Sequence, residues 1–171
     1  KEFGEPRPAY NTVSTIIRFH KSGSLDLLQN ALYSLLAQGG CNVHPIIAAQ
    51  DLTDEMITNL QTILYTIPFK RECAPKIKTY YADESCQDLR SLMLNQELKL
   101  VQTRYAAFLD YDDVLFPNAY PWLIGRLKKS GKNASFGLIY TTSFNFMERK
   151  IKYRTVVYDY GKSFADFLNY N

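Results

Sequence analysis

The sequence predicts an α/β protein in which a mostly parallel sheet is sandwiched between helices. Two observations carry that expectation. Segments rich in β-branched and apolar residues alternate with segments whose leucines recur at helical spacing, the order that crossover connections between parallel strands produce. In addition, an apolar run from Ala106 to Leu109 ends in three carboxylates, Asp110, Asp112 and Asp113, with Pro117 close behind. Such a run reads as a central strand that delivers its acids to a loop above the sheet, where open α/β sheets bind ligands.

The elements follow in order. Thr12 to Phe19, β-branched and apolar, is the first strand. Ser24 caps a helix with Leu27, Leu28, Ala31, Leu32, Leu35 and Leu36 facing inward, and Gly39-Gly40 stops it. His44 to Ala49 is the second strand. Thr53 caps a second helix that turns Met56, Leu60, Ile63 and Leu64 inward, ahead of Pro68. Ile77 to Tyr81 is a short third strand, about Cys86 to Leu100 a third helix, and Arg104 to Leu109 the fourth strand. Pro117 sits near the first turn of a fourth helix that carries Trp122, Leu123 and Leu127 and ends at Gly131. Phe136 to Thr141 completes the alternation as a fifth strand. Phe144 to Val157 then alternates around Glu148-Arg149-Lys150 as a hairpin or a pair of strands, and Ser163 caps a short last helix. On this reading residues 1–11 are a linker, 12–143 the α/β domain, and 144–171 the start of a further segment. The opening Lys1-Glu-Phe-Gly-Glu-Pro has no methionine and reads as the edge of a piece excised from a longer protein.

Composition removes several classes of function. A hydrophobic fraction of 46% in 171 residues suits one folded domain and excludes a disordered chain. A net charge of +3 on scattered basic residues gives no ground for a nucleic-acid partner. The trio Lys128, Lys129 and Lys132 suits a helix C-terminus, where cations meet the dipole. No apolar run in these residues is long enough to span a bilayer; a peripheral membrane association of the longer protein stays open. Cys41, Cys73 and Cys86 are widely spaced and form no metal-ligating pattern, which fits reduced thiols in a cytoplasmic protein.

Three loops after strands carry the candidate chemistry, and in a parallel sheet all three lie on one edge. They are Arg18-Phe19-His20-Lys21, Gln50-Asp51-Leu52-Thr53-Asp54, and the acid cluster. Three acids within four residues repel one another unless a cation or a set of donors offsets them. A turn and helix cap ahead of Pro117 would use Asp113 but not all three. A hard divalent cation bridging phosphates is the simplest partner. A planar ring, a lone carboxylate and such a metal together suit a nucleoside diphosphate.

These residues resemble the inverting glycosyltransferases of family 2. Ser34-Leu35-Leu36-Ala37-Gln38 matches that family's Ser-Leu-Leu-x-Gln motif, and Gln50-Asp51-Leu52-Thr53-Asp54 answers its Asp-Asp-Gly-Ser-Thr-Asp. Tyr105 to Asp113 matches Tyr-x-x-Phe-Leu-Asp-x-Asp-Asp, at the family's distance from Asn95. The likeness runs from about Val13 to Tyr140. It implies the GT-A fold, a Rossmann-like three-layer α/β/α sandwich, and transfer of a sugar with inversion from a UDP-, GDP- or dTDP-linked donor. The acceptor would be a hydroxyl on a glycan, lipid or protein. The resemblance also implies roles. Asp112 would coordinate Mn²⁺ or Mg²⁺ through the donor's diphosphate, and Asp113 would support the metal or its waters. Asp110 would hold the donor's ribose or sugar, Asp51 would accept a hydrogen bond from the base, and His20 would stack on it. Arg18 and Lys21 lie where they would meet phosphate.

The chain departs from the family in places. Arg18-Phe-His-Lys replaces Pro-Thr-Tyr-Asn, and Gln50 replaces an acid. The family's helix arginine aligns with Leu94, so Arg90, one turn earlier on the same face, is the candidate substitute. The family's general base lies downstream of the acid cluster, apparently past Asn171, so no catalytic base is assigned; Asp159 and Asp166 are candidates only by default. The rival readings are a nucleotide-sugar-binding module inactive in isolation and a phosphatase of the haloacid dehalogenase type. In the latter, Asp110 would be the nucleophile and Asp112 the acid, but that motif normally sits on the first strand. A nucleotidyltransferase would want a Gly-rich loop after the first strand, where only Gly23 stands.

Overall fold

The computed structural model describes residues 11–83, 88–134, 139–145 and 150–156. The chain divides into two compact units, Lys1–Gly125 and Arg126–Asn171.

The first unit is built on β1 (Thr12–His20), β2 (Asn42–Gln50), β3 (Lys76–Tyr80) and β4 (Tyr105–Asp110), all parallel, in the order β3-β2-β1-β4. Helix α1 (Leu25–Leu36) joins β1 to β2, α2 (Asp54–Thr66) and a short 3-10 turn (Arg71–Cys73) join β2 to β3, and α3 (Arg90–Leu100) joins β3 to β4. Helix α4 (Ala119–Ser130) follows β4. The expected caps are present: Ser24 Oγ accepts from the Leu27 N–H, and Thr53 Oγ1 from the Met56 N–H. Each satisfies a donor that the first helical turn leaves without a partner.

Pleat alternation sends neighbouring residues of each strand to opposite faces. One face presents Val13, Ile17 and Phe19 of β1, Val43, Ile47 and Ala49 of β2, and Leu109 of β4. Leu28, Ala31, Leu32 and Leu35 of α1, Leu60 of α2, and Tyr120 and Ile124 of α4 pack against them as one core. Thr15 points to the same face and hydrogen-bonds the Tyr120 hydroxyl at 2.8 Å, which satisfies two buried polar groups at once. The opposite face is covered more thinly. There Ala48, Tyr80, Leu89 and Met93 form a small cluster beneath α3. The Tyr80 hydroxyl donates to the buried carboxylate of Glu97, whose other neighbour is Lys78 Nζ at 3.8 Å. The result is a three-layer α/β/α sandwich of the Rossmann-like, GT-A kind.

Several sequence expectations need correction. The acid-bearing strand is not central: β1 occupies the middle, and β4 pairs only with β1 among the described residues. Phe108 is therefore 55% exposed on the face that α3 covers incompletely. Trp122 does not face inward. It is 67% exposed, and Tyr120 and Ile124 supply the buried stripe of α4. Leu27 and Leu36 flank the inward face of α1 rather than filling it. Helix α3 begins at Arg90, and the stretch around Cys86 lies outside the described residues. The helix after the acid loop begins at Ala119, so Asp113 is not its cap.

In the second unit, Ile139–Asn145 (β5) pairs antiparallel with Lys150–Val156 (β6), with Phe144 opposite Ile151 and Tyr140 opposite Thr155. The two expected strands pair antiparallel, but the first of them takes in Ile139 to Thr141. Those residues pair with β6 in a separate sheet instead of extending the parallel one. The helix expected after Ser163, together with Asp159 and Asp166, lies outside the described residues.

Candidate functional site

Parallel register fixes which strand ends meet. His20 lies opposite Gln50, and Arg18 lies opposite Asp110. The loops after β1, β2 and β4 therefore leave one rim of the sheet. From β1 the chain winds outward through β2 to β3, then returns to β1's other side as β4. Strand order thus reverses between β1 and β4, the kind of position at which open α/β sheets leave a crevice at their carboxyl ends.

A cleft of about 270 Å³ occupies that position, lined by Ile16, Arg18, Arg90, Phe108, Asp110 and Asp113 among others. Arg18 Nη2 lies 3.6 Å from Asp110 Oδ1, an ion pair with the arginine mostly buried and the carboxylate exposed. Arg90 enters from the first turn of α3, and Leu94 lines the same cleft one turn later. Two cations and two carboxylates thus share one wall. A larger cavity, about 520 Å³, opens among Asn11, Leu35, Cys41, Phe69, Lys70 and Cys73. It lies at the other end of the strands and includes none of the predicted site residues. Cys41 and Cys73, which line it, are free thiols whose pKa values burial raises.

The acid loop turns sharply. The Asp113 N–H donates to the Asp110 carbonyl at 3.1 Å, which closes a tight turn in the backbone that carries the three acids. Asp113 is exposed as a residue, yet desolvation of its carboxyl, then the charges of Asp110 and Asp112, hold it above the usual carboxylate range. Asp112 is exposed. Among the described residues no three His, Cys, Asp or Glu side chains are grouped to hold a metal ion.

The β1 and β4 loops touch through aromatic edges. Tyr111 meets His20 at 5.3 Å between ring centroids and Phe19 at 5.4 Å, both nearly perpendicular. Gly23 allows the first loop to fold back: its N–H donates to the His20 carbonyl, and a Cβ there would stand 2.6 Å from the Phe19 ring. Any larger residue would force the two apart.

Asp51 ends β2 in the left-handed region, at φ 55°. Asp and Asn are the residues other than glycine that tolerate this best. Its N–H donates to the Tyr80 carbonyl, Oδ1 accepts from the Ala82 N–H at 2.8 Å, and Oδ2 accepts from Gln50 Nε2 at 3.0 Å. Those bonds, the Ala82 amide first and Gln50 second, hold its carboxyl below the usual range. An ionised carboxylate has about four lone-pair sites, so acceptor capacity remains after these two bonds. Gln50, read from the sequence as the loss of an acid, here orients its neighbour.

The structure therefore gathers the predicted residues in two groups. Arg18, Arg90, Asp110 and Asp113 line the cleft, while His20 stands beside Tyr111 on the rim and Asp51 is tied to the ends of β2 and β3. Sequence reasoning missed the Arg18–Asp110 pair, since nothing local states which residues face each other across strands. It also gave Tyr111 no role, although its place inside the acid cluster was a usable signal.

No family model matches the sequence, and no curated protein sequence matches it. Among solved structures, S. aureus TarS aligns with a TM-score of 0.50 at 14% identity, over 70% of this chain and 20% of that one. The likeness is one of fold, and the chain corresponds to about a fifth of that structure's length.

Proposed function

We propose that this chain is the donor-binding part of a metal-dependent, inverting glycosyltransferase that uses a nucleoside-diphosphate sugar. The observation that carries the reading is the coincidence of three features at one place: the reversal of strand order between β1 and β4, the acid loop, and a cleft lined by Arg18, Arg90, Asp110 and Asp113. The fold likeness to TarS, a glycosyltransferase, supports the same class.

The residues suit a divalent cation. Desolvation is the larger cause of the raised Asp113 pKa, and the charges of Asp110 and Asp112 add to it; a cation would offset that added charge. Asp110 is already balanced by Arg18, which leaves Asp112, with Asp113, as the ligand pair for Mn²⁺ or Mg²⁺. So few protein ligands leave coordination positions for diphosphate oxygens and water, the arrangement these hard ions favour. When bound, the ion would offset the charge that develops on the departing diphosphate. Arg90 would add positive charge along the cleft wall, and Arg18 would fix Asp110 toward the donor's ribose or sugar. The Asp51 carboxylate would accept a base N–H, with His20 and Tyr111 flanking the ring. The pairing of Asp110 with Arg18 also disfavours the phosphatase reading, because a nucleophilic carboxylate held by a guanidinium is a weaker nucleophile.

Titration with UDP, GDP and dTDP, with and without Mn²⁺, tests the proposal. Binding of at least one should depend on the metal, and Asp112→Ala should abolish that dependence. Equal affinity with and without Mn²⁺ would defeat the metal assignment, and no binding of any of the three would defeat the donor site.

A further inference from the structure

Ser34 and Gln38 stand in helix α1 and just beyond its end, close to the start of the strands' return, yet their side chains bond to the segment that leaves the acid loop. Both are buried. Ser34 Oγ donates to the Ala31 carbonyl at 2.6 Å and accepts the Leu115 N–H at 3.1 Å. Gln38 Nε2 donates to the carbonyls of Ser34 and Phe116, each at 3.0 Å, and Gln38 Oε1 accepts the Tyr120 N–H at 3.0 Å. The next residue continues the cradle, since a Cβ on Gly39 would stand 2.8 Å from Asn118 Oδ1, and Asn118 itself has φ 65°. Ser34 and Gln38 therefore hold Leu115, Phe116 and Tyr120, with Gly39 leaving room for Asn118.

The chemistry is specific to these side chains. Both amide hydrogens of Gln38 are committed to carbonyl oxygens, so a glutamate would set a carboxylate against two acceptors. The Ser34 hydroxyl both donates and accepts, which alanine does neither of. The Ser34 bonds and the Gln38 bond to Phe116 lie beside the core that α1 fills through Leu28, Leu32 and Leu35, while the Gln38 bond to Tyr120 seats a residue whose ring belongs to that core. What the bonds fix is the exit of the loop that begins at Asp110. The entry of that loop is fixed by β4's pairing with β1.

We infer that Ser34 and Gln38 are positioning residues that lock the exit of the acid loop and so hold Asp112 and Asp113 in place for the cation. The inference rests on the donor-site reading for its consequence, but not for its geometry. Ser34→Ala should speed amide exchange at Leu115 and Asp113 by about tenfold relative to Ile47, the scale of one lost hydrogen bond. Mn²⁺-dependent UDP affinity should fall by a similar factor, and Ser34→Thr, which keeps the hydroxyl, should restore both. Gln38→Glu should exceed Ser34→Ala in each readout. Leu28→Ala, on the same helix, should lower Tm further than Ser34→Ala yet leave the Asp113-to-Ile47 exchange ratio and the UDP affinity unchanged below its transition. An unchanged Asp113 exchange rate in Ser34→Ala, or an affinity loss in Leu28→Ala equal to that of Ser34→Ala, overturns the inference. If the unmodified protein binds none of UDP, GDP and dTDP with Mn²⁺, the donor-site reading fails, while exchange at Asp113 still decides whether the lock exists.

Discussion

The two faces of the sheet are built on different principles. Beneath α1, α2 and α4 the contact is a broad apolar core with one polar pair inside it, Thr15 and Tyr120. Beneath α3 the contact is a small cluster held by a buried carboxylate, with Tyr80 donating to Glu97 and Lys78 beside it. The thick face makes the domain stable. The thin face leaves Phe108 bare and the gap between β4 and α3 open, which is where Arg18, Arg90, Asp110 and Asp113 are found. A cleft needs unfilled space beside the sheet, and among the described residues of the first unit one helix over four strands supplies it.

Removing side chains from each face should expose the difference. Leu32→Ala, in the middle of the thick core, should cost about 3–4 kcal/mol in urea unfolding, and Met93→Ala under α3 about 2 kcal/mol, because a small cluster relaxes around the loss more readily. Equal costs would remove the distinction. Next in size, Glu97→Ala leaves the buried Tyr80 hydroxyl without its acceptor and should cost about 2 kcal/mol, with Glu97→Gln costing less because it keeps an oxygen there.

Alkaline pH addresses both faces together. Burial raises the pKa of Tyr80 and of Tyr120 above the ordinary 10.0, and for Tyr80 the Glu97 carboxylate adds to it. Above that ordinary value the unfolded chain gives up protons that the folded one keeps. Stability must therefore fall as pH rises past it. Tyr80→Phe should reduce the proton uptake linked to folding there by about one proton, and Tyr120→Phe should do the same. If only one variant changes the slope, only that face keeps its tyrosine dry. The smallest stability effect should come from Arg18→Met. Its partner Asp110 is exposed, so unfolding should shift by less than about 1 kcal/mol. Nucleotide affinity should nevertheless fall, which would separate the cleft's function from the fold's stability.

Much of this arrangement was legible from local pattern. Ser24 and Thr53 announced their helices through the donors they satisfy, and the β-branched run from Thr12 announced β1, the strand now at the centre. The single rim followed from the alternation of strand and helix alone. What failed was whatever depends on a distant partner. Ile139 to Thr141 has the composition of any strand, and nothing in it says that β6 rather than the parallel sheet receives it. Trp122 is the larger apolar ring, but Tyr120 is the one turned inward, because its hydroxyl finds Thr15 across the layer. The Ser34–Gln38 motif was visible as a pattern, whereas its partners, Leu115 to Tyr120, lie about eighty residues away. The pair Arg18–Asp110 is likewise a property of register, which no window of sequence contains.

That register has a consequence for how the chain tolerates change. Because side chains alternate along β4, deleting one residue between Tyr105 and Leu109 would swing Asp110 toward the oily layer beneath α1 and turn its neighbour outward in its stead. Charge and grease would trade places in one step. Lineages descending from this chain should therefore vary freely in the lengths of their loops while keeping the count of residues in β4 fixed.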